Sequence, residues 1–372
     1  MTTSHFEELR QRLLAKLGNA EVNLDVVAMP DFFLDHSSTC DFDARRLTRR
    51  ILSVAGRGGG EISDIPQTLE VGGNAAICTL ALANLGSNVH PIMKTDALGL
   101  QLMRYFYQTP KVDLTGIKLT GSLSPTIILE LRFRSSSTNV MLGDASNITP
   151  FGFEDLDSDD LATITKARYV CVFDWLYNKK GTELAEKVFG YCRTNSRART
   201  FFDASDPRPR VKDLSDLNGK VLRNELIDIW GVNENEALTF AKLYDRKLKG
   251  RSNNTVLAAG KAISANTRAK IYLHTADYSA SIREDEIVLV PAFAVVPRRG
   301  TGAGDSWNAG IIVADGLGLT EEEGLLFGNA VAGRYATYTK RVYSTVPEIV
   351  DFLRDPALKL KRVTDLGKHL KH

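Results

Sequence analysis

The chain has 372 residues, 43% hydrophobic and 25% charged, a globular composition that excludes disorder as its main state. With 47 Lys and Arg against 45 Asp and Glu the net charge is +2, so no global field steers it to nucleic acid or to an anionic membrane. Cys40, Cys78, Cys171 and Cys192 show no C-x-x-C spacing, which speaks against zinc or a disulfide framework and fits a reducing, cytoplasmic setting.

In chain order, Phe6, Leu9, Leu13 and Leu17 recur at helical spacing between charged residues, which predicts an amphipathic helix closed by Gly18. The charges interrupt any signal-peptide core, and no later segment is apolar enough to span a bilayer. Residues 24–29 read as a buried strand. Residues 36–70 are polar, basic and glycine-rich and read as irregular or as part of a small exposed element. A helix follows over 73–85, a strand over 89–93 and a helix over 98–107. Residues 124–134 and 139–142 read as a hairpin turning at 135–137.

Strands are predicted over 169–173, 200–203, 227–232, 270–273, 287–290 and 293–296. Helices are predicted over 155–162, 181–192, from Glu234, over 307–316 and over 321–338. This alternation predicts an α/β fold, a doubly wound and mainly parallel sheet flanked by helices, with ligands at the carboxyl ends of its strands. The early hairpin breaks that rhythm and reads as a separate small sheet. From Pro356 to His372 five basic residues face only Asp365, a balance of +4, so the rest of the chain carries −2. That segment reads as a solvated basic tail after a single domain over 1–355.

The most informative stretch is Arg298-Arg299-Gly300-Thr301-Gly302-Ala303-Gly304-Asp305. It joins a predicted strand to a helix opening at Asp305. Glycines allow close backbone approach, and a helix start presents free N–H groups, which together make an anion cradle. Asp305 reads either as a helix N-cap or as a general base beside that cradle. The stretch does not match a P-loop. Its G-x-G-x-G falls one residue short of the dinucleotide fingerprint, and it lies far from a first strand.

The segment Gly302-Ala303-Gly304-Asp305-Ser306-Trp307-Asn308-Ala309-Gly310 resembles the C-terminal signature of the PfkB carbohydrate kinases, a family with the ribokinase-like fold. Gly72-Gly73-Asn74-Ala75-Ala76, Lys94-Thr95-Asp96-Ala97-Leu98-Gly99 and Asn233-Glu234-Asn235-Glu236 resemble three further motifs of that family, in the same order. The resemblance spans roughly residues 22–355. It implies ATP-dependent phosphorylation of a hydroxyl on a sugar or sugar-like small molecule, with magnesium on the phosphates.

By the same resemblance Asp305 is the base, and the amides of Gly302, Ala303 and Gly304 form the anion hole. Asn233, Glu236, Thr301, His274 and Asn329 fall on the nucleotide side, with Glu236 toward magnesium. On Asn233 and Glu236 a helix cap is an equally good reading of the residues. Asp35 or Asp31, with Gly72, Gly73 and Asn74, would bind the sugar. Parts of 36–70 and 123–145 would form a β-lid, through which such proteins pair as homodimers. Arg132 and Arg134 on it read as solvated, or as reaching an anionic sugar group.

The chain departs from the pattern at four places. Arg299-Gly300 replaces an Asp-Thr whose Asp helps bind a monovalent cation, so activity is expected not to need potassium, and Arg299 would place a fixed charge near the site. Ile77 replaces a polar sugar contact. Residues 273–278 lack the two glycines of the nucleotide-side segment, leaving His274 either structural or in contact with the nucleotide. Asp203-Ala204-Ser205-Asp206-Pro207-Arg208 only loosely resembles D-x-N-x-R. A nucleoside or vitamin-precursor kinase, and a relative that binds without turnover, are the alternative readings.

Overall fold

The computed structural model describes residues 1–133, 136–145 and 150–363. The elements run α1 (Thr3–Leu17), β1 (Asp25–Met29), β2 (Phe33–Asp43), α2 (Ala44–Gly56), β3 (Gln67–Gly72), α3 (Asn74–Asn84), β4 (Asn88–Pro91), β5 (Met93–Lys94), α4 (Ala97–Phe106), β6 (Ile117–Lys118), β7 (Ser124–Phe133) and β8 (Ser136–Gly143). They continue through α5 (Ser158–Lys166), β9 (Tyr169–Val172), α6 (Gly181–Asn195), β10 (Arg199–Phe202), α7 (Leu214–Leu217), β11 (Ile229–Asn233), α8 (Glu234–Phe240) and α9 (Asn253–Thr267). The chain closes with β12 (Lys270–His274), β13 (Tyr278–Arg283), β14 (Glu286–Pro291), α10 (Ala303–Gly316), α11 (Glu321–Ala336) and α12 (Val346–Arg354).

Eight strands form the main sheet in the order β14-β13-β12-β11-β10-β9-β1-β4. Pairing is parallel from β4 to β12 and antiparallel from β12 to β14. The central strands are buried on both faces, which is why 26–29 and 169–172 read as unbroken apolar runs. Alternate residues enter two cores. Val26, Ala28, Tyr169 and Cys171 pack with α1, α3, α10, α11 and α12, while Val27, Met29, Val170 and Val172 pack with α5, α6, α8 and α9. The doubly wound sheet expected from the alternation is therefore present.

The smaller sheet has the order β3-β2-β7-β8. It decides between the two readings of 36–70: the segment is part of a small element, holding most of β2, α2 and the start of β3, and is not irregular chain. Helix α2 starts at the N-cap Asp43 and buries only Leu47, so its polar composition conceals it. The hairpin is present, but residues 134–135 of its turn lie outside the described residues. Residues 293–296 form no strand; Phe293 makes only an isolated bridge to Leu360. Through that bridge the C-terminal segment returns to the body: Ala294 N–H donates to Lys359 and Lys361 N–H to Ala292, and Leu358 and Leu360 pack on the core. The part of the basic tail before residue 364 is thus docked, and the rest lies outside the described residues.

Truncation after Asp355 removes those contacts and is expected to lower the melting temperature by at least ~2 °C in a thermal scan, and an unchanged value would show that the returning segment does not hold the body.

Candidate active site

The glycine turn runs from β14 into α10 and corrects one expectation at once. The helix opens at Ala303, its cap position is Gly302, and no side chain caps it. Gly302 has φ +87°, and a Cβ there would collide with the Tyr335 hydroxyl. That hydroxyl in turn donates to the Thr301 carbonyl at 3.0 Å, so Tyr335 braces the turn from below. The Ala303 N–H turns back to the Gly300 carbonyl at 3.1 Å. Among the described residues no protein acceptor takes the amides of Gly302 and Gly304, which leaves two donors at a helix start.

Asp305 occupies the third position of α10 rather than its cap. It is 9% exposed, and no neighbouring side chain among the described residues donates to it. Burial raises its pKa well above the usual carboxylate range; Asp203 and Asp31 push the same way, and Arg341 opposes them.

Asp31 and Asp203 come from just beyond the carboxyl ends of parallel strands. Asp31 follows β1 and accepts the Ala75 N–H at 3.0 Å, and its Oδ2 is buried without a partner. Burial lifts its pKa to about 7. Gly73, at φ +92°, lets α3 begin against this carboxylate. Asp203 follows β10 and accepts from Asn308 at 2.7 Å and from the Ser205 N–H at 2.9 Å. Asp174 follows β9 with φ +51°, and its Oδ1 and the Oδ1 of Asn308 are buried and unpartnered. Sequence reasoning passed over Asp174 and Asn308. The signal for Asp174 was available, an acid just past the end of a read strand.

On the other side of the turn, Ala303, Gly304, His274, Thr275, Trp307 and Asn329 line a cavity of about 230 Å³. The His274 ring lies 4.9 Å from that of Trp307, and burial pushes its pKa down to about 4, so it is a neutral wall rather than a phosphate-binding charge. The Asn329 amide is engaged by Trp307 and by the Val290 and Pro291 carbonyls. Thr301 accepts from Asn139 of β8 at 3.2 Å, which ties the turn to the smaller sheet. Asn233 and Glu236 form a capping box on α8, so the cap reading holds for both. They are not among the residues that line the cavity.

Asp35 lies on β2 with its carboxylate over Gly72 and pairs with Arg341 at 2.5 Å. Arg299 pairs with Glu70 of β3 at 3.0 Å and donates to the Thr339 carbonyl at 2.9 Å. Glu70 and Arg341 were not singled out from the sequence. The backbone N–H of Asn74 works against the rise in the Asp31 pKa. Arg132 sits on β7, and Arg134 lies outside the described residues.

The pfkB family carbohydrate kinase profile matches residues 60–347. The chain belongs to that family of carbohydrate kinases. A search of curated proteins gave no match. Among solved structures, this pfkB-family chain is similar to an Arabidopsis thaliana ribokinase complexed with ribose and ATP, at TM-score 0.66 and 15% identity over 90% of this chain and 99% of that one. A Cryptococcus neoformans ribokinase in complex with ADP gives TM-score 0.68 and 14% identity, covering 89% and 99%. An adenosine kinase from Sinorhizobium meliloti gives 0.64 and 17%, covering 87% and 97%. At these identities the likeness concerns the fold, which is ribokinase-like. No helix among the described residues is long and apolar enough to cross a membrane.

Gly302→Ala forces a side chain into positive φ against Tyr335, and the variant is expected to lose at least ~10²-fold in turnover with its far-UV circular dichroism unchanged. Native-like turnover would show that the turn is not where charge is stabilised.

Proposed function

We propose that the protein transfers the γ-phosphoryl group of ATP to a hydroxyl of a sugar or sugar-like acceptor. The observation that carries this reading is Asp305, a buried carboxylate that caps nothing and stands beside the free amides of Gly302 and Gly304. As the acceptor oxygen attacks phosphorus, Asp305 takes the hydroxyl proton, the new O–P bond forms and the bond to the leaving ADP oxygen breaks. The two amides and the helix start stabilise the charge on the transferring group.

Three buried acceptors without partners, Asp31 Oδ2, Asp174 Oδ1 and Asn308 Oδ1, ask for hydroxyl donors, which supports a polyhydroxyl acceptor. The smaller sheet, tied to the turn through Asn139 and Arg299, would act as the lid. Its exposed Ile127, Val140, Met141 and Leu142 would face a second copy. The cavity lined by His274 and Trp307 would take the nucleoside of ATP.

Among the described residues no group of three His, Cys, Asp or Glu could hold a metal ion. Both Glu236 oxygens already accept from Asn233. A magnesium ion would therefore arrive on the nucleotide phosphates, where it neutralises charge, with Glu236 reaching it through water. In place of the family's cation-binding Asp, the Arg299 guanidinium donates to the Thr339 carbonyl, a contact that supports activity without potassium.

A magnesium–ATP turnover screen over neutral sugars, sugar acids and nucleosides should identify the acceptor. On that acceptor, Asp305→Asn is expected to lower kcat by roughly 10²–10⁴ with the fold intact, and an unchanged kcat would refute its role as base. Because Asp305 must be ionised to accept the proton and its pKa is raised, kcat should fall on the acid side at a pH above the ordinary carboxylate range. Potassium at constant ionic strength should leave the rate unchanged.

A further inference from the structure

Asp35 and Glu70 are register partners across the antiparallel β2–β3 pair. Like charges directly opposite each other repel, and both side chains are largely buried, at 8% and 12% exposure. Two arginines from distant segments resolve the conflict. Arg341 places Nη2 2.5 Å from Asp35 and Nε 3.5 Å from Glu70, and its backbone N–H donates to Glu70 at 3.2 Å. Arg299 places Nη1 3.0 Å from Glu70. Packed apolar side chains hold elements together at least as well as a buried charge quartet, so stability alone does not account for it. Arg341 Nη1 is moreover buried without a partner, a further cost.

We propose that Arg341 is a positioning residue for acceptor binding: it holds Asp35 as a carboxylate aimed at the acceptor and fixes the β2–β3 edge against the glycine turn. The inference rests on the kinase reading of the site and on Asp35 as an acceptor contact. The groups that face Asp35 are Arg341, Glu70, Arg299 and the Tyr177 hydroxyl. Burial and Glu70 raise its pKa, and Arg341 is the main influence lowering it. Without Arg341, Asp35 takes up a proton at higher pH and loses its power to accept from a sugar hydroxyl. Arg341 also opposes the rise in the Asp305 pKa, so its removal touches the base more weakly.

The experiment is steady-state kinetics on Arg341→Gln, Arg341→Lys, Asp35→Asn and the Gln/Asn double variant, across pH, using the acceptor found in the screen. Arg341→Gln should raise the acceptor KM about 10-fold or more, leave the ATP KM in place, and change kcat less than KM. The acid limb of kcat/KM should move up by about 1–3 pH units. Arg341→Lys should recover part of the KM and most of the limb. In the double variant the loss should not exceed that of Asp35→Asn alone. An unchanged acceptor KM and acid limb in Arg341→Gln would overturn the proposal, as would single-variant effects that multiply in the double. If Arg341→Gln fails to fold, Arg341→Lys decides: an unchanged acceptor KM overturns the proposal, and a raised KM with the limb retained supports it. Failure of the kinase reading looks different, because Asp305→Asn would then keep full turnover.

Discussion

Burial opposes the ionisation of Asp305, and Asp203 and Asp31 lie close enough at the carboxyl edge of the main sheet for their charge to oppose it further. Parallel strands end there, and residues one or two positions beyond them enter the same cleft. Three of those strands are followed by an acid: Asp31 after β1, Asp174 after β9 and Asp203 after β10. Burial, and after it the charges of Asp203 and Asp31, make Asp305 a stronger base than an exposed aspartate and leave the resting site costly. In the proposed function a polyhydroxyl ligand would relieve part of that cost by donating to oxygens that the protein leaves bare.

Opposite this acidic floor stand the donors of the turn. Their placement depends on a side chain that touches no substrate in the proposed chemistry. Tyr335 fills the space that any Cβ on Gly302 would need and holds the Thr301 carbonyl. Thr301 also receives Asn139 from the smaller sheet, and Arg299, two residues earlier, reaches Glu70. The turn is therefore braced on one side by α11 and on the other by β3 and β8. If the smaller sheet acts as the lid of the proposed function, these contacts would link acceptor binding to the placement of the donors.

The main sheet was legible because its strands are buried on both faces, and a run such as 26–29 or 169–172 has few other interpretations. The smaller sheet was half legible. Strand β7 alternates and was read, whereas β2 carries Asp35, His36, Ser37 and Ser38 and resembles loop. Asp35 is polar there because its partner is the Arg341 guanidinium rather than a core. Helix α2 escaped for the related reason that it buries one side chain. Within the site, the glycine turn was legible from spacing, but the start of its helix was placed two residues late. The cap reading of Asp305, one of the two its position offers, arises because the residue that does cap, Gly302, has no side chain to show it. Arg341 and Glu70 carried no local signal at all. Their meaning comes from a register and from a segment 271 positions away in the chain.

The two arginines bear on how such a site carries positive charge. A bound cation is set by its concentration in solution, whereas a guanidinium cannot be deprotonated in a protein and cannot diffuse away. Arg299 and Arg341, at 8% and 4% side-chain exposure, bring two permanent charges into a region where salt screens little. Each is matched to a carboxylate on the smaller sheet, so that sheet and the turn form one electrostatic unit. The net charge of the chain says nothing of this. A body with a balance of −2 still sets two arginines against Asp35 and Glu70 and gathers Asp31, Asp203 and Asp305 at one edge of its sheet.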